Sequence, residues 1–223
     1  MQSECEVVID VWGDFALFIN PAAKIEQVNY GIPTASACRG ILNAIYNKPK
    51  EFYYEIVAID VMKPIQFVSV QKNEVKSKIS SKISDDYYID TDVNRTQRMH
   101  MYLTDVYYRI HAKMVVQKDA PPDISISRLR AQFLHRVEKG KCFYQPYLGT
   151  RECMCDFSLP DPDMEPIKVS KDFGTVLYDV FDIDNTIPLD TSKKSVSCKP
   201  HVRFFHACME DGVIKLPTYA SLS

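Results

Sequence analysis

The sequence predicts an α+β fold, and three observations predict it. Segments rich in β-branched and aromatic residues, alternating in polarity, recur at 5–18, 53–62, 65–71 and 101–117. Two other segments, starting near Ala35 and Ser125, repeat their apolar residues at the spacings of a helix instead. In order, the chain reads strand, helix, two strands, then strand, helix, strand, which is close to a ferredoxin-like β-α-β-β-α-β core.

Each element has its own local reason. The first strand surrounds Gly13 and ends at a turn, Asn20-Pro21, from which an irregular loop runs to Pro33. Thr34 suits the N-cap of a helix from Ala35 to about Tyr46, which Pro49 must end. Pro64 separates the strands Tyr53–Met62 and Ile65–Gln71. Lys72–Asn94 is polar and charged, so it reads as a long loop or flexible hairpin. In the strand Met101–Gln117, Tyr107, Arg109, His111 and Lys113 share one face, opposite Tyr108, Ile110, Ala112 and Met114. Ala120-Pro121-Pro122 breaks that strand. The second helix, about Ser125 to Lys139, buries Ile126, Leu129, Phe133 and Val137, and Gly140 fits its C-terminal cap. Glu210-Asp211-Gly212 is a hairpin signal in a β-rich tail. The division predicted is a ferredoxin-like domain at 1–151 and a β-rich extension at 152–223.

Composition narrows the function. With 223 residues, 46% of them hydrophobic, the chain can bury a substantial core. No apolar run reaches the ~18 residues of a membrane span. Glu4, Glu6 and Asp10 stand where a signal peptide needs cations and then an apolar stretch, so the protein is expected in the cytoplasm. The net charge of -2 argues against a generic nucleic-acid binder, but the distribution is uneven. Residues 1–151 hold 20 Lys+Arg and 17 Asp+Glu, and residues 152–223 hold 7 and 12. A polyanion should therefore touch the first two-thirds through local clusters.

Several chemistries lose their usual support. The chain has no Walker loop, G-x-G-x-x-G, H-E-x-x-H or G-x-S-x-G. Seven cysteines at irregular spacings do not form a disulfide framework. Cys153 and Cys155, with Cys198, His201, His206 and Cys208 downstream, suggest zinc, yet Cys-x-Cys is tighter than the usual zinc pair. No metal or other cofactor is expected, and no carboxylate cluster supports a divalent-metal DNA nuclease.

Polar rows on the two helices remain. On the first, Arg39, Asn43 and Tyr46 share a face, followed by Lys48 and Lys50. That face is either merely solvated or a phosphate-facing ridge in which Tyr46 offers a hydroxyl and a stacking ring. On the second, Arg128, Gln132, His135, Arg136 and Lys139 recur at helical spacing, with Arg130 and Lys141 flanking. Glu138 is the only acid among them, more positive charge than a solvated face requires. Arg95 and Arg98 form a third cluster, and Lys76, Lys78 and Lys82 lie in the polar segment between strands.

These segments resemble the CRISPR-associated Cas five family in its d variant, the Dvulg or type I-C form. The strongest stretch is YGIPTASACRGILNAIYNKP, Tyr30 to Pro49. Similar motifs follow in order at Lys63–Phe67, Lys72–Val75, Arg95–Arg98, Lys139–Phe143, Pro146–Glu152, Phe204–Ala207 and Asp211–Ile214. The resemblance implies a ferredoxin-like (RRM-like) RAMP domain with a β-rich C-terminal extension. It implies a metal-independent endoribonuclease that cuts the repeat hairpin of precursor CRISPR RNA through the ribose 2′-hydroxyl. It further implies that the protein keeps the 5′ handle and joins the large and backbone subunits of the type I-C complex, being a monomer when isolated. The family's active tyrosine maps onto Tyr46, and its Lys-His pair onto Arg128 and Leu129. Arg128 can replace the lysine as a fixed cation, but Leu129 cannot replace a histidine. Three possibilities follow: His135 supplies the proton transfer, the general acid is missing and cutting is slow, or the register is shifted. The alternative function that Leu129 motivates is a non-catalytic handle-binding subunit.

Overall fold

The computed structural model describes residues 4–23, 26–77, 88–118, 120–180 and 202–222. In chain order its elements are β1 (Glu4–Ala16), α1 (Ala35–Ile45), β2 (Phe52–Val61), β3 (Gln66–Val75), the short α2 (Thr91–Asn94) and β4 (Arg95–Val116). There follow α3 (Ile126–Glu138), β5 (Asp156–Ser158), β6 (Lys171–Asp179), β7 (Arg203–Glu210), β8 (Val213–Lys215) and a closing 3-10 turn, Tyr219–Leu222.

Caps place both long helices where the sequence does. Thr34 Oγ1 accepts from the Ala37 N–H at the start of α1, and Ser125 Oγ accepts from the Arg128 N–H at the start of α3. After α3, Gly140 takes φ +60°, its N–H reaches the Val137 carbonyl, and the Lys141 N–H reaches that of Arg136. This pair of hydrogen bonds closes the helix in a Schellman turn and fixes the direction in which the chain leaves it.

The strands form one antiparallel sheet in the order β5-β1-β4-β2-β8-β7-β6. Because β1 and β2 both pair antiparallel with β4, they run parallel to each other, and α1 is the crossover between them. By the same logic β4 and β5 flank β1 and are joined through α3. Both helices pack on one face of this sheet. Cys38, Ile41, Leu42 and Ile45 of α1 and Ile126, Leu129, Phe133 and Val137 of α3 are buried with Ile9, Val11, Ile59, Ile110 and Met114 beneath.

The C-terminal strands extend this sheet at both edges. β5 adds beside β1, and β8 adds beside β2 from Ala58↔Lys215 to Asp60↔Val213. The hairpin between β7 and β8 turns at the predicted Asp211-Gly212, both left-handed at φ 47° and 81°. Position 212 needs glycine twice over, since a Cβ there would meet the Ile167 carbonyl oxygen at 2.3 Å.

The segment 72–94, read as a long loop or flexible hairpin, continues β3 to Val75 and carries α2, and the strand boundary is corrected: β4 begins at Arg95 rather than near Met101. β3 pairs with the first half of β4, from Gln66↔Thr104 to Val75↔Arg95, as an arm outside the main strand order. No residue of β3 is buried, and its Phe67, Val68 and Val70 are exposed, so β3 has no buried face to impose an apolar alternation on its sequence. Lys78 and Lys82 lie outside the described residues.

The sheet face opposite the helices is polar and ion-paired, as the alternation in β4 predicts. Asp10 is fully buried there and accepts from Arg109 Nε at 2.7 Å and Nη2 at 3.0 Å. The Tyr107 hydroxyl, at 3.1 Å, and the Asp161 N–H, at 2.9 Å, complete its shell. His111 meets Asp60 at 2.8 Å, and Lys113 meets Glu4 at 3.1 Å.

Candidate active site

Tyr46 caps the C-terminus of α1, its N–H bonded to the Leu42 carbonyl at 2.9 Å. Only 4% of the residue is exposed. Its ring stacks on Phe52 (5.7 Å, 24°) and lies nearly parallel to Phe143 (6.4 Å, 15°). The hydroxyl donates to Gln132 Oε1 of α3 at 2.5 Å. The Arg136 guanidinium, one turn further along α3, lies 5.9 Å from the Tyr46 ring centroid and donates through Nε to the Ile45 carbonyl at 2.7 Å. Tyr46 is therefore clamped between the two helices by groups that the α3 row supplies.

Burial pushes the Tyr46 phenol above its ordinary value of about 10, against the opposing pull of Lys48 and Arg136. The group is thus a neutral hydrogen-bonding phenol at physiological pH.

The other predicted residues divide by environment. Arg128 is exposed and stands one turn before Gln132, about 6 Å along the same face of α3. His135 is exposed, its Nδ1 3.9 Å from Glu138. Lys139, Lys141, Lys50 and Arg95 are exposed, and among the described residues none of them is ion-paired. Arg130 is exposed, with Nε on the Glu6 carbonyl at 2.8 Å. Lys48 pairs with Glu51 at 3.0 Å, and Arg98 with Glu74 at 3.1 Å. Asn43 is partly buried. Leu129 is buried in the α3 core stripe, as its spacing predicts.

Arg39 departs from both readings of its face. It is buried, and its guanidinium meets Asp179 of β6 at 2.6 Å. That side of α1 is covered by β6, a long-range packing that no helical period reveals. Arg39 thus ties α1 to the C-terminal strands instead of facing a phosphate. Arg39→Ala would leave the buried Asp179 without this cation and should cost about 3 kcal/mol in urea unfolding. A loss below about 1 kcal/mol would show that the pair does not brace α1.

Gln132 and Phe143 were not singled out by the sequence as partners of Tyr46. Gln132 stands in the basic row and could be found as its neutral member. Phe143 lies beyond the helix, and only its place in the Lys139–Phe143 motif marks it.

Among the described residues the cysteines do not assemble as the zinc reading would need. Cys153 and Cys155 are buried, with burial raising both thiols above their ordinary range. His206 and Cys208 are exposed on β7 and group instead with Asp172 of β6, the only such metal-ligand-type cluster among the described residues. Cys198 and His201 lie outside the described residues. Among the described residues no helix is long and apolar enough to cross a membrane.

The family described as CRISPR-associated protein (Cas_Cas5), in its model Cas_Cas5d, matches residues 6–217. The chain belongs to the Cas5d family. A Cas5d protein of Mannheimia succiniciproducens, named CRISPR pre-crRNA endoribonuclease Cas5d, is 37% identical over 95% of this chain and 94% of its own length. The Cas5d protein of the same name from Thermus thermophilus is 35% identical over 94% of this chain and 90% of its own. Among solved structures, one titled as a CRISPR-associated protein superposes with a TM-score of 0.69 at 23% identity, covering 98% of this chain and 95% of that one. A functionally uncharacterized protein from Streptococcus mutans gives 0.68 at 21% identity, with 98% and 95% covered. At these identities the two structures speak for a shared fold alone. The Cas5d core, helices and C-terminal strands thus recur together as one arrangement.

Proposed function

We propose that this protein is a metal-independent endoribonuclease that cuts the repeat hairpin of precursor CRISPR RNA and stays bound to the 5′ handle. The observation that carries the reading is Tyr46, fixed at the end of α1 by Gln132 and Arg136 beside an exposed basic row on α3. The two relatives named for pre-crRNA cleavage, similar over nearly the whole chain, support it.

The chemistry uses the substrate's own nucleophile. The ribose 2′-oxygen attacks the adjacent phosphorus and gives up its proton; the bond from phosphorus to the 5′-oxygen breaks, and that oxygen takes a proton. The products are a 2′,3′-cyclic phosphate and a 5′-hydroxyl. Neutral Tyr46 positions the 2′-hydroxyl, Arg128 faces the charge that develops on the phosphorane, and His135 moves the proton. Lys48, Lys50, Arg95, Arg98, Arg130, Arg136, Lys139, Lys141 and Asn43 form the wider RNA contact surface in this reading. In this reading a ferredoxin-like RAMP domain spans 1–151 and the β-rich piece 152–223; the order β5-β1-β4-β2 supports the ferredoxin-like core, whose edge strand β5 falls just past that boundary at Asp156–Ser158. We place the protein in the cytoplasm, monomeric alone and bound to the large and backbone subunits of a type I-C complex at work.

Leu129 favours a second reading. It is buried in the core stripe where the family resemblance implies a histidine, so the chain could be a non-catalytic handle-binding subunit. Incubation with the cognate repeat hairpin in EDTA separates the two. The enzyme reading predicts a single cut at the base of the stem, and tight binding with no cut would leave the binding subunit.

A further inference from the structure

We infer that the turn leaving α3 is a seat for unpaired nucleotides of the RNA, with Phe143, Tyr144 and Tyr147 as stacking surfaces and Lys139 and Lys141 as phosphate contacts. The inference rests on the RNA reading above and adds to it a subsite and a ligand class. The three rings are 57%, 54% and 37% exposed within five residues of chain. A cluster of large rings left in water at that density marks an interaction surface.

The rings are exposed by construction. The Schellman turn at Gly140 aims the chain off α3. The Phe143 N–H then bonds to the Ala44 carbonyl at 2.7 Å, Gln145 Nε2 bonds to the Cys155 carbonyl at 2.8 Å, and Tyr147 bridges to Met154. The backbone is thus pinned at 143 and 147, with the Pro146 carbonyl accepting from the Cys155 N–H at 3.1 Å, and a ligand stacking there does not have to order the loop first. The Arg136 guanidinium lies over the Phe143 ring, 4.3 Å from its centroid, adding a cation at the seat.

Charge selects the partner. Between Glu138 and Glu152 the chain carries no acid, while Lys139, Lys141 and Arg151 are all exposed. Interleaved rings and cations match a nucleotide, which offers a planar base and an anionic phosphate together. Bases inside the stem have their faces occupied by their neighbours, so the fitting ligand is an unpaired nucleotide flanking the hairpin. Phe143 lies parallel to Tyr46, which sets that nucleotide next to the proposed cut.

The test uses a hairpin blocked by a 2′-deoxy at the scissile position, with 2-aminopurine placed in turn at each flanking nucleotide, and the same stem without flanks. For the intact protein, fluorescence should fall on binding at one or two flanking positions. Phe143→Ala should abolish that response and weaken the flanked hairpin about tenfold, leaving affinity for the bare stem unchanged. Phe143→Trp should restore both. The inference is overturned if no flanking position responds, or if Phe143→Ala weakens flanked and bare stems alike. If the intact protein binds neither RNA, the RNA reading itself fails and the subsite with it.

Discussion

Tyr46→Phe is expected to slow hairpin cleavage by about 10²–10⁴-fold while changing hairpin affinity by less than about threefold. The substitution keeps the ring stacked on Phe52 and beside Phe143, and removes only the hydroxyl that reaches Gln132. Loss of that one hydrogen bond should cost about 1 kcal/mol of stability, too little to unfold the chain. The pH dependence follows from the sign of the shift. The phenol is held above its ordinary value, so its neutral form persists throughout the physiological range. The rate ratio of the intact protein to Tyr46→Phe should therefore stay constant from about pH 6 to about pH 9. A ratio that climbs tenfold per pH unit there would mean that the phenolate is the working form. An unchanged rate in Tyr46→Phe would remove Tyr46 from the chemistry altogether.

Asp10→Ala should be the most destabilising substitution on the open sheet face. Asp10 is fully buried, and its carboxylate holds Arg109, Tyr107 and the Asp161 N–H together. Its removal strands a largely buried guanidinium and should cost about 3–5 kcal/mol. For a chain of this size that is a fall of roughly 10 °C in Tm. Asp10→Asn retains an acceptor for the Tyr107 hydroxyl and the Asp161 N–H, and should lose clearly less. Equal losses for the two variants, or a loss below about 1 kcal/mol, would show that the charge on Asp10 does not hold β1, β4 and the 160s segment together.

The elements that the sequence reveals are those governed by local rules. Thr34, Ser125 and Gly140 mark helix ends through their own capping chemistry, and Asp211-Gly212 marks a turn through its left-handed backbone. The periodicity of α3 assigns Leu129 to the core. What the sequence hides depends on contacts distant along the chain. The β3 strand of the outer arm has no buried residue, so it writes no apolar alternation. Arg39 reads as a surface cation until β6, 140 residues away, places Asp179 against it. The candidate site shows the same division. Tyr46 and the α3 row are visible in the sequence, whereas the Gln132 bond and the Phe143 stack arise only when α1, α3 and the following turn meet. Buried Tyr46 shows why its environment matters as well as the nearby cations: desolvation is the largest influence on its phenol, and with Glu51 it prevails over Lys48 and Arg136.

The central claim is that the RNA supplies its own nucleophile, and a single atom tests it. The protein should be incubated in EDTA with two repeat hairpins, one all-ribose and one with a 2′-deoxy nucleotide immediately 5′ of the scissile phosphate. The account predicts that the all-ribose hairpin is cut to a 2′,3′-cyclic phosphate and a 5′-hydroxyl, and that the deoxy hairpin is bound equally well and left whole. A deoxy hairpin cut at the same position, or an all-ribose hairpin bound but never cut, would contradict it.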